Sequence, residues 1–413
     1  MAKKYYEEQY INNAAIAIKN KLPNAGTFKV REFAGLINEM NTGDVDSKDI
    51  NFYDYDGKRV YSYTFAEIQE LEALPPIPSH SNLQSQSWNW TLAQLKAVKC
   101  PIEVGANYLA PNCFVRLLIE VPEDNYTVTV RFRTSNANYV NIEWGDDEHS
   151  DFSEEDTDYH AYSNTYATAG SYTIEIVDTE GSEENNTIVY MGYNISSTLN
   201  TCRTLIGGEV GSRQEHPSKN ILKEIQVGTR CSFVRGSLSY LCGLEKISIP
   251  ENWISYPEGY TFREYWDIFE YLPFLKCIVI PANIDMSSYD SSFIGFDTIK
   301  AFSIGYGSKV AYCPSGLLTK VSGTWNNRIP GNHSVKSISI MSNYTRTYEI
   351  IYQSDTARPV EELYMLYQTQ VPTLYSESMN PFMKIYVPAS LYEDWIAASG
   401  WSNYASQIIP VVL

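Results

Sequence analysis

Apolar residues recur in a fixed pattern through the second half of the chain. From about residue 200, a template of the form apolar-x-x-apolar-x-apolar occurs seven times in order, and Pro or Gly directly follows five of the seven copies. The copies begin 22 to 36 residues apart. They are Leu222/Ile225/Val227, Leu244/Ile247/Ile249, Leu275/Ile278/Ile280, Ile299/Phe302/Ile304, Val335/Ile338/Ile340, Val360/Leu363/Met365 and Phe382/Ile385/Val387.

One copy of this template cannot fold alone. Three buried aliphatic side chains contribute about 5–9 kcal/mol, whereas ordering costs about 1–2 kcal/mol for each of roughly twenty residues. Stacking would let each strand pair in parallel with the next and bury its aliphatic side chains between layers. The pattern therefore predicts a solenoid over residues 196–413, with inserted loops at residues 250–275 and 305–334. An ordinary β-rich domain with coincidental triplets is the alternative interpretation.

Two other patterns precede the repeats. Residues 111–195 alternate apolar and polar side chains with period two in several runs, which predicts a small antiparallel β-sandwich. Residues 46–110 combine a hairpin around Asp56-Gly57 with helices at Ala66–Leu74 and near Leu92–Val98. These signals predict a small mixed α/β unit.

Residues 1–45 have a helical rhythm. Two apolar faces at helical spacing are separated by Pro23 and the Asn24-Ala25-Gly26 break. A helical hairpin of this size has too small a core for independent stability. We therefore predict a helical anchor that docks on another chain or on another copy of itself.

Charge and composition narrow the classes of partner. The chain has 413 residues, with 31 Lys and Arg against 49 Asp and Glu, so its net charge is −18. Nucleic-acid binding is not expected, because that affinity comes mostly from Lys and Arg that neutralise phosphates. A hydrophobic fraction of 44% is too rich for a disordered acidic tail.

Export and membrane signals are missing from the sequence pattern. No window approaches roughly 18 consecutive apolar residues, and the N-terminus lacks an apolar segment with a small-residue cleavage site. The seven cysteines are scattered and never form C-x-x-C. We expect a soluble protein without a secretory signal and with reduced core thiols. A disulfide or metal role for some thiols is the alternative.

Catalytic motifs have no local support. The five histidines lie in different segments, and neither H-E-x-x-H nor G-x-S-x-G occurs. The acidic run at residues 146–158 could hold a hard cation such as calcium or form a solvated edge, and this choice stays open. We predict no catalytic residue, no cofactor and no metal site.

Aromatic residues supply the candidates for binding. The chain has 33 Tyr, 15 Phe and 8 Trp, and tyrosine is enriched in protein interfaces because it offers a large contact area with few rotatable bonds. The candidate binding residues, all in the predicted inserted loops, are Tyr256, Tyr260, Tyr265, Trp266, Tyr271 and Trp325. The alternative is that several of them cover the ends of the solenoid core.

The repeats with their Pro or Gly terminators resemble the bacterial-surface (BspA-like) class of leucine-rich repeats. The stretch from Lys384 to Ala389, followed by Tyr392, Trp395 and Trp401, resembles the closing cap of that class. This resemblance covers about half the chain. It implies a leucine-rich-repeat solenoid with a C-terminal cap.

The middle segment resembles a polycystic-kidney-disease (PKD-like) sandwich module. Trp144-Gly145-Asp146-Asp147 stands where that family has its W/F-G-D-G turn, with Asp147 in place of the second glycine. Tyr166 and the strand Gly170–Ile174 match a later part of the motif, and Asn164 stands where the family usually has His. The resemblance implies a PKD-like antiparallel β-sandwich.

The front of the chain resembles proteins encoded among phage and prophage tail genes. The resemblance rests on Ala15-Ile16-Ala17-Ile18-Lys19, on the segment Phe28–Ile37, and on the later Trp88-Asn89-Trp90-Thr91-Leu92. In that setting such segments are joined to PKD-like and leucine-rich-repeat modules. The resemblance implies a virion protein that is assembled in the host cytoplasm.

These patterns and resemblances predict a multi-domain, β-rich, non-enzymatic phage virion structural and attachment protein, associated with a tail or fibre. Its leucine-rich-repeat face would meet a host-surface protein or glycan, and its middle units would act as spacers. The N-terminal segment would bind other virion proteins, and the chain would form a homo-oligomer in the particle, without nucleic acid or membrane. The alternatives are a bacterial surface leucine-rich-repeat adhesin and a carbohydrate-active enzyme.

Overall fold

Strands dominate the protein, as the sequence predicts. In the computed structural model, Ser47–Leu413 forms one compact unit, and the predicted helical anchor at residues 1–45 lies outside the described residues. The described residues are 48–135, 140–151, 160–179, 187–192, 205–206, 220–233, 237–253, 269–286, 293–310, 318–324, 335–343, 346–347, 360–374, 379–380 and 382–412. No helix within these ranges has the length and apolar character needed to cross a membrane.

The first sheet is formed by residues 48–110, which we call the covering segment. Its strands run in the order β2-β1-β4-β3, with β1 antiparallel to β2 and parallel to β4. The two helices each begin with a capping box, formed by Thr64 with Glu67 and by Thr91 with Gln94. The elements are β1 (Ile50–Tyr53), β2 (Arg59–Tyr63), α1 (Phe65–Glu70), β3 (Gln84–Trp88), α2 (Leu92–Lys96) and β4 (Ile102–Leu109).

The first helix is shorter than the sequence predicts. The predicted helix extends to Leu74, but Leu71 already has an extended backbone, with ψ 135°. Leu71 and Leu74 instead pack against the hydrophobic cluster of the covering segment. Burial of these side chains therefore ends the helix before the prolines do.

Two largely antiparallel sheets follow and share one hydrophobic cluster. Strands β5, β10, β7 and β8 are neighbours in one sheet, and β9, β6 and β11 are neighbours in the other. Leu117 and Ile174 from the first sheet and Val130 from the second are fully buried in the same cluster. The strands are β5 (Cys113–Val121), β6 (Tyr126–Thr134), β7 (Val140–Glu143), β8 (His149–Asp151), β9 (His160–Tyr166), β10 (Gly170–Asp178) and β11 (Val189–Met191).

The remaining strands are short and mostly pair in parallel. They are β12 (Leu222–Val227), β13 (Cys231–Phe233), β14 (Lys246–Ser248), β15 (Phe269–Glu270), β16 (Cys277–Ile280), β17 (Asp285–Met286), β18 (Phe293–Ile294), β19 (Ala301–Ile304), β20 (Lys309–Val310), β21 (Lys320–Gly323), β22 (Ser337–Ile340), β23 (Arg346–Thr347), β24 (Glu362–Tyr364), β25 (Thr373–Leu374), β26 (Lys384–Pro388) and β27 (Ile408–Val411). Helix α3 (Tyr392–Ala397) and two 3-10 helices, Ala389–Leu391 and Trp401–Gln407, lie between β26 and β27.

The aliphatic triads lie on the parallel strands, in register. The strands form the groups β12–β14, β16–β19 and β21–β22–β24–β26–β27. Ile225 pairs with Ile247 in the first group, and Ile338, Leu363 and Ile385 are aligned in the third. We call these nine strands the parallel array, and each strand with the turn before it a rung.

One backbone hydrogen bond repeats along the array. In six rungs, the residue after the first aliphatic position donates its N–H to the carbonyl of the equivalent residue one rung earlier. The bonds are Glu245 N to Lys223 O, Lys276 N to Glu245 O, Lys300 N to Lys276 O, Lys336 N to Thr319 O, Glu361 N to Lys336 O and Lys384 N to Glu361 O, at 2.7–3.1 Å. The bond from Lys276 to Glu245 therefore continues the main-chain pairing from the β12–β14 group to the β16–β19 group, although the two groups belong to separate sheets.

The array contains a rung that the sequence analysis assigns to an inserted loop. Within residues 305–334, strand β21 pairs in parallel with β22, and Val321 is aligned with Ile338. Leu318 and Val321 are buried, but the third template position is Gly323. A template that requires three apolar side chains misses this rung for that reason.

The predicted triad Phe382/Ile385/Val387 is wrong at its first position. Phe382 is 86% exposed, whereas Met383 is fully buried. Asn380 accepts from the N–H of Phe382 and donates to the carbonyl of Val360, so it shapes the turn. Met383 directly precedes Lys384, and Lys384 makes the repeating backbone bond. Met383 therefore occupies the first aliphatic position of this rung.

The two-sheet region and the parallel array are joined through the main chain. Strand β12 pairs antiparallel with β5, and β13 pairs in parallel with β11. Both sheets thus take strands from either side of residue 195, where the sequence analysis places a domain boundary.

The covering segment packs on the outward face of the array. Outward residues there are small and buried, including Val279, Ser303 and Ser322. A Cβ built at Gly105 would lie 2.5 Å from the Val279 side chain, so only glycine permits this approach. Residues 48–110 therefore cover the strand face that a bare array would expose.

Asn89 makes the central polar contact between the covering segment and the array. Its amide nitrogen donates to Ile280 O and Ser303 Oγ, both at 2.9 Å, and its amide oxygen accepts from Gly105 N at 2.9 Å. Trp90 Nε1 donates to the carbonyl of Ile304 at 2.9 Å. The Trp-Asn-Trp motif thus satisfies buried backbone groups at the ends of two strands.

Candidate interaction surface

Tyr271 is the sequence-predicted binding residue whose position the structure describes. Tyr256, Tyr260, Tyr265, Trp266 and Trp325 fall outside the described residues. The structure therefore places one of the six candidates and does not test whether the others lie beside it.

Tyr271 lies at the protein surface in the turn before β16. It is 39% exposed and Phe274 is 54% exposed, whereas Leu272 and Leu275 are fully buried. The N–H of Leu275 donates to the carbonyl of Leu272 at 3.2 Å and closes the turn. Burial of the two leucines thereby holds the two aromatic side chains toward solvent.

Tyr271 stacks on Tyr240 from the preceding rung. Their ring centroids are 4.6 Å apart and the ring planes differ by 22°. Tyr271 also lies against the next rung, since a Cβ built at Gly295 would be 2.5 Å from its Cδ1. The neighbours on both rungs therefore orient the Tyr271 ring. We call Tyr240, Tyr271 and Phe274 the aromatic ridge.

The backbone of the ridge is strained. Tyr240, Tyr271 and Gly295 each lie four residues before the first aliphatic position of their rung, with φ values of 60°, 53° and 76°. Positive φ is an outlier for a bulky residue and costs free energy, whereas glycine adopts it readily. Strain of this kind is retained where surrounding packing enforces it, and it clusters at functional sites.

Two members of the ridge were missed by sequence reasoning. Tyr240 holds the same rung position as Tyr271, so aligning the rungs would have found it. Phe274 falls at a position where other rungs carry Gly243 or Thr298. No pattern in the sequence distinguishes it from a buried aromatic residue.

The charges beside the ridge are paired. Lys276 Nζ lies 2.6 Å from Glu245 Oε2, on adjacent rungs. The hydrogen bond from Lys276 lowers the pKa of Glu245, so this carboxylate stays ionised at neutral pH. The ridge is thus an aromatic surface with a compensated charge pair at its flank, and aromatic residues are enriched at protein interfaces.

The covering segment contains an Asp–His pair, of which Asp54 is buried and His80 is partly exposed. His80 Nε2 lies 2.9 Å from Asp54 Oδ2, and the Tyr108 hydroxyl donates to Asp54 Oδ1 at 2.8 Å. Burial raises the pKa of Asp54. In acyl-transfer sites such a carboxylate orients an imidazole that also hydrogen-bonds to a nucleophilic hydroxyl or thiol. Among the described residues, the side-chain hydrogen bond of His80 is to Asp54, and no hydroxyl or thiol is bonded to its ring.

The same group of residues joins two parts of the molecule. The Tyr55 hydroxyl donates to Glu224 Oε1 on β12 at 2.8 Å, and Gln226 Nε2 donates to the same oxygen at 2.6 Å. Burial, followed by the charge of Glu224, raises the pKa of Tyr55 strongly. The network therefore holds the covering segment on the first rung.

Part of the predicted acidic run is described. Asp146 Oδ2 accepts from Asn164 Nδ2 at 2.7 Å, and its Oδ1 accepts from the N–H of Glu148 at 3.3 Å. Residues 152–159 lie outside the described residues. Among the residues with described positions, no three His, Cys, Asp or Glu side chains are grouped so that they could hold a metal ion.

Comparison with known proteins gives no relative for this chain. No family model matches it, and neither a curated protein nor a solved structure is detectably similar.

Proposed function

We propose that the chain is a non-enzymatic structural and attachment protein of a phage virion, associated with a tail or fibre. It binds a host-surface molecule through the aromatic ridge of a leucine-rich-repeat solenoid. Residues 1–45 anchor it to other virion proteins, and the chain carries out no covalent chemistry.

Aligned triads support the solenoid. Every template residue but Phe382 is buried, and the aligned pairs Ile278 with Phe302 and Leu363 with Ile385 place like positions side by side. Burial of aliphatic side chains between neighbouring rungs is the stabilising principle of repeat solenoids.

Side-chain geometry supports a PKD-like module. The Tyr166 hydroxyl donates to the Trp144 carbonyl at 2.8 Å, and Asn164 donates to Asp146 in the adjacent turn. Asp147 has a φ of 69°, a conformation available to glycine and tolerated by Asp. The residue that replaces the second glycine of the motif thus serves the same turn.

Exposure of the aromatic ridge carries the proposal. Residues 48–110 cover the outward face of the strands as far as β22, where the Cys100 thiol forms a hydrogen bond with Ser339. In the turn before β16, the side chains of Tyr271 and Phe274 stay exposed. Recognition by this chain therefore uses the turn edge of the array.

Adsorption of particles to host cells tests this function. Particles carrying Tyr271→Ala with Phe274→Ala should adsorb at least about tenfold more slowly than wild-type particles, because truncated aromatic anchors each cost about 2 kcal/mol or more at an interface. Particles lacking the chain should adsorb as poorly as this double variant.

Tyr306→Ala is the matched control. Tyr306 is 46% exposed and follows β19, at the opposite end of the parallel strands. Its replacement should leave adsorption unchanged. Normal adsorption by particles that lack the chain would overturn the attachment role, and equal losses in Tyr306→Ala and the ridge variant would overturn the assignment to the ridge.

A further inference from the structure

A cavity of about 700 Å³ lies away from the aromatic ridge, at one end of the two-sheet region. It forms where β5 ends and where β6, β10 and β12 begin. Polar and aromatic side chains that line it are Glu120, Glu123, Tyr126, Ser171, Asn220 and Lys223. The volume falls within the range of small-molecule sites in proteins.

The walls of the cavity are fixed by the backbone. Glu120 donates its N–H to the carbonyl of Ile221 at 2.8 Å, and Ser171 is paired with Glu120 across β10 and β5. Asp124 Oδ1 accepts from the N–H of Ala169 at 2.8 Å and ties the two turns together. Strand pairing and this turn contact therefore hold the backbone around the cavity in place.

Its polar groups offer both acceptors and donors. Glu120 and Glu123 present carboxylate oxygens, Lys223 presents an ammonium group, and Ser171 can donate or accept. Lys223 Nζ lies 3.6 Å from Glu120 Oε2, and the two side chains are 33% and 63% exposed. This partly exposed pair can exchange its contact for bonds to a ligand at low cost.

Apolar surface lies beside these groups. Val121 and Pro122 line the cavity together with Tyr126, which packs against the large hydrophobic cluster. An aromatic ring next to paired hydrogen-bonding groups suits a ligand that has both C–H faces and hydroxyl groups. Two carboxylates against one ammonium group repel phosphates and other anions.

We propose that this cavity binds a neutral oligosaccharide. Adjacent sugar hydroxyls donate to Glu120 and Glu123 and accept from Lys223, and a sugar ring packs on Tyr126. The site is additional to the aromatic ridge, and its existence does not depend on the proposed attachment function.

Calorimetric titration of the purified chain tests the proposal. The probes are tri- to hexasaccharides of glucose, mannose, galactose and N-acetylglucosamine, with sialylated and uronic-acid oligosaccharides as the anionic set. At least one neutral probe should bind with a Kd of about 1 mM or tighter, and the anionic set should bind at least about tenfold more weakly. Absence of binding by all probes, or preference for the anionic set, would overturn the proposal.

Variants locate the site. Glu120→Gln and Tyr126→Ala should each weaken the neutral probe at least about tenfold, whereas Tyr126→Phe keeps the ring and should bind as wild type. Glu143→Gln, an exposed carboxylate on β7, is the matched control. Unchanged binding in Glu120→Gln overturns the site even if Tyr126→Ala fails to fold. Tyr271→Ala should bind the sugar normally, which separates this result from the adsorption test.

Discussion

Glu103 is a buried carboxyl group at the boundary between the covering segment and the parallel array. It is 5% exposed, and its Oε2 has no hydrogen-bond partner among the described residues. Burial raises its pKa to about 7, although the charges of Lys320 and Arg59 and hydrogen bonds from Asn51 and Tyr53 act in the opposite direction. At acid pH the group is therefore neutral in the folded protein.

This carboxyl group should make stability fall as pH rises. Its folded pKa lies above the ordinary value of 4.5, so the unfolded chain ionises first and stability declines between pH 4.5 and about 7. The expected slope is at most about 1.4 kcal/mol per pH unit. Urea unfolding of Glu103→Gln at pH 5, 6, 7 and 8 should show a flatter profile than the wild type.

Other carboxyl groups titrate in both directions, so the comparison needs a control. Glu361 is an exposed carboxylate on the array, and Glu361→Gln should retain the wild-type profile. Parallel profiles for Glu103→Gln and the wild type would show that Glu103 does not titrate in this window.

The rung of β26 shows how the structure of an element selects between two residues that both fit the sequence pattern. Phe382 and Met383 are neighbours, and both could occupy the first apolar position of the triad. The turn around Asn380 decides for Met383, because it places that residue directly before the backbone bond of Lys384.

Truncation of Met383 and of Phe382 should have different effects on the free energy of unfolding. Met383→Ala should lower the free energy of unfolding by about 2–5 kcal/mol, since it opens a cavity in the core. Phe382→Ala should change it by no more than about 0.5 kcal/mol, as expected for an exposed site. Chemical denaturation measures both, and the reverse ranking would contradict the observed register.

Gly295 supports the aromatic ridge from the neighbouring rung. Gly295→Ala introduces a Cβ at a φ of 76° and 2.5 Å from Tyr271 Cδ1. We expect a loss of about 1 kcal/mol or more in unfolding free energy, because alanine is strained at positive φ, and slower adsorption through displacement of the Tyr271 ring.

A double-mutant cycle isolates the ring contact. In a Tyr271→Ala background the same glycine replacement should cost less, since the ring atoms are gone while the backbone strain remains. Additive losses would mean that Gly295 and the Tyr271 ring act independently.

For the whole molecule, the contact between the covering segment and the array couples parts of the chain that are far apart in sequence. Asn89 is 2% exposed and bonds to Ser303, 214 residues further along the chain. Asn89→Ala should lower the free energy of unfolding by about 3 kcal/mol, because each buried polar partner left without a bond costs about 1–3 kcal/mol.

Unfolding should remain one cooperative transition in that variant. Hydrogen exchange of the amides of β4 and β22 should then change by the same factor, since both exchange through global opening. Asn343→Ala, which removes an exposed side chain bonded to Thr369, should cost about 1 kcal/mol or less. Faster exchange confined to β4 would show that the covering segment opens by itself.

Local signals in the sequence determined the β-rich character and the places of the rungs. Aliphatic spacing and turn residues are properties of a short stretch, so the triads located seven of the nine rungs. They missed β21, where Gly323 replaces the third apolar residue, and β27, which follows the last triad. The same signals placed both helices of the covering segment, although burial of Leu71 shortened the first.

Only the tertiary structure decided which surfaces stay exposed and which side chains lie together on them. The small outward residues Val279 and Ser303 look like a solvated strand face in the sequence, yet Gly105 and Asn89 cover them. Such contacts depend on how distant segments meet, and no local pattern encodes them. The aromatic ridge and the cavity likewise arise where separate strands end, so their composition became visible only once the chain had folded.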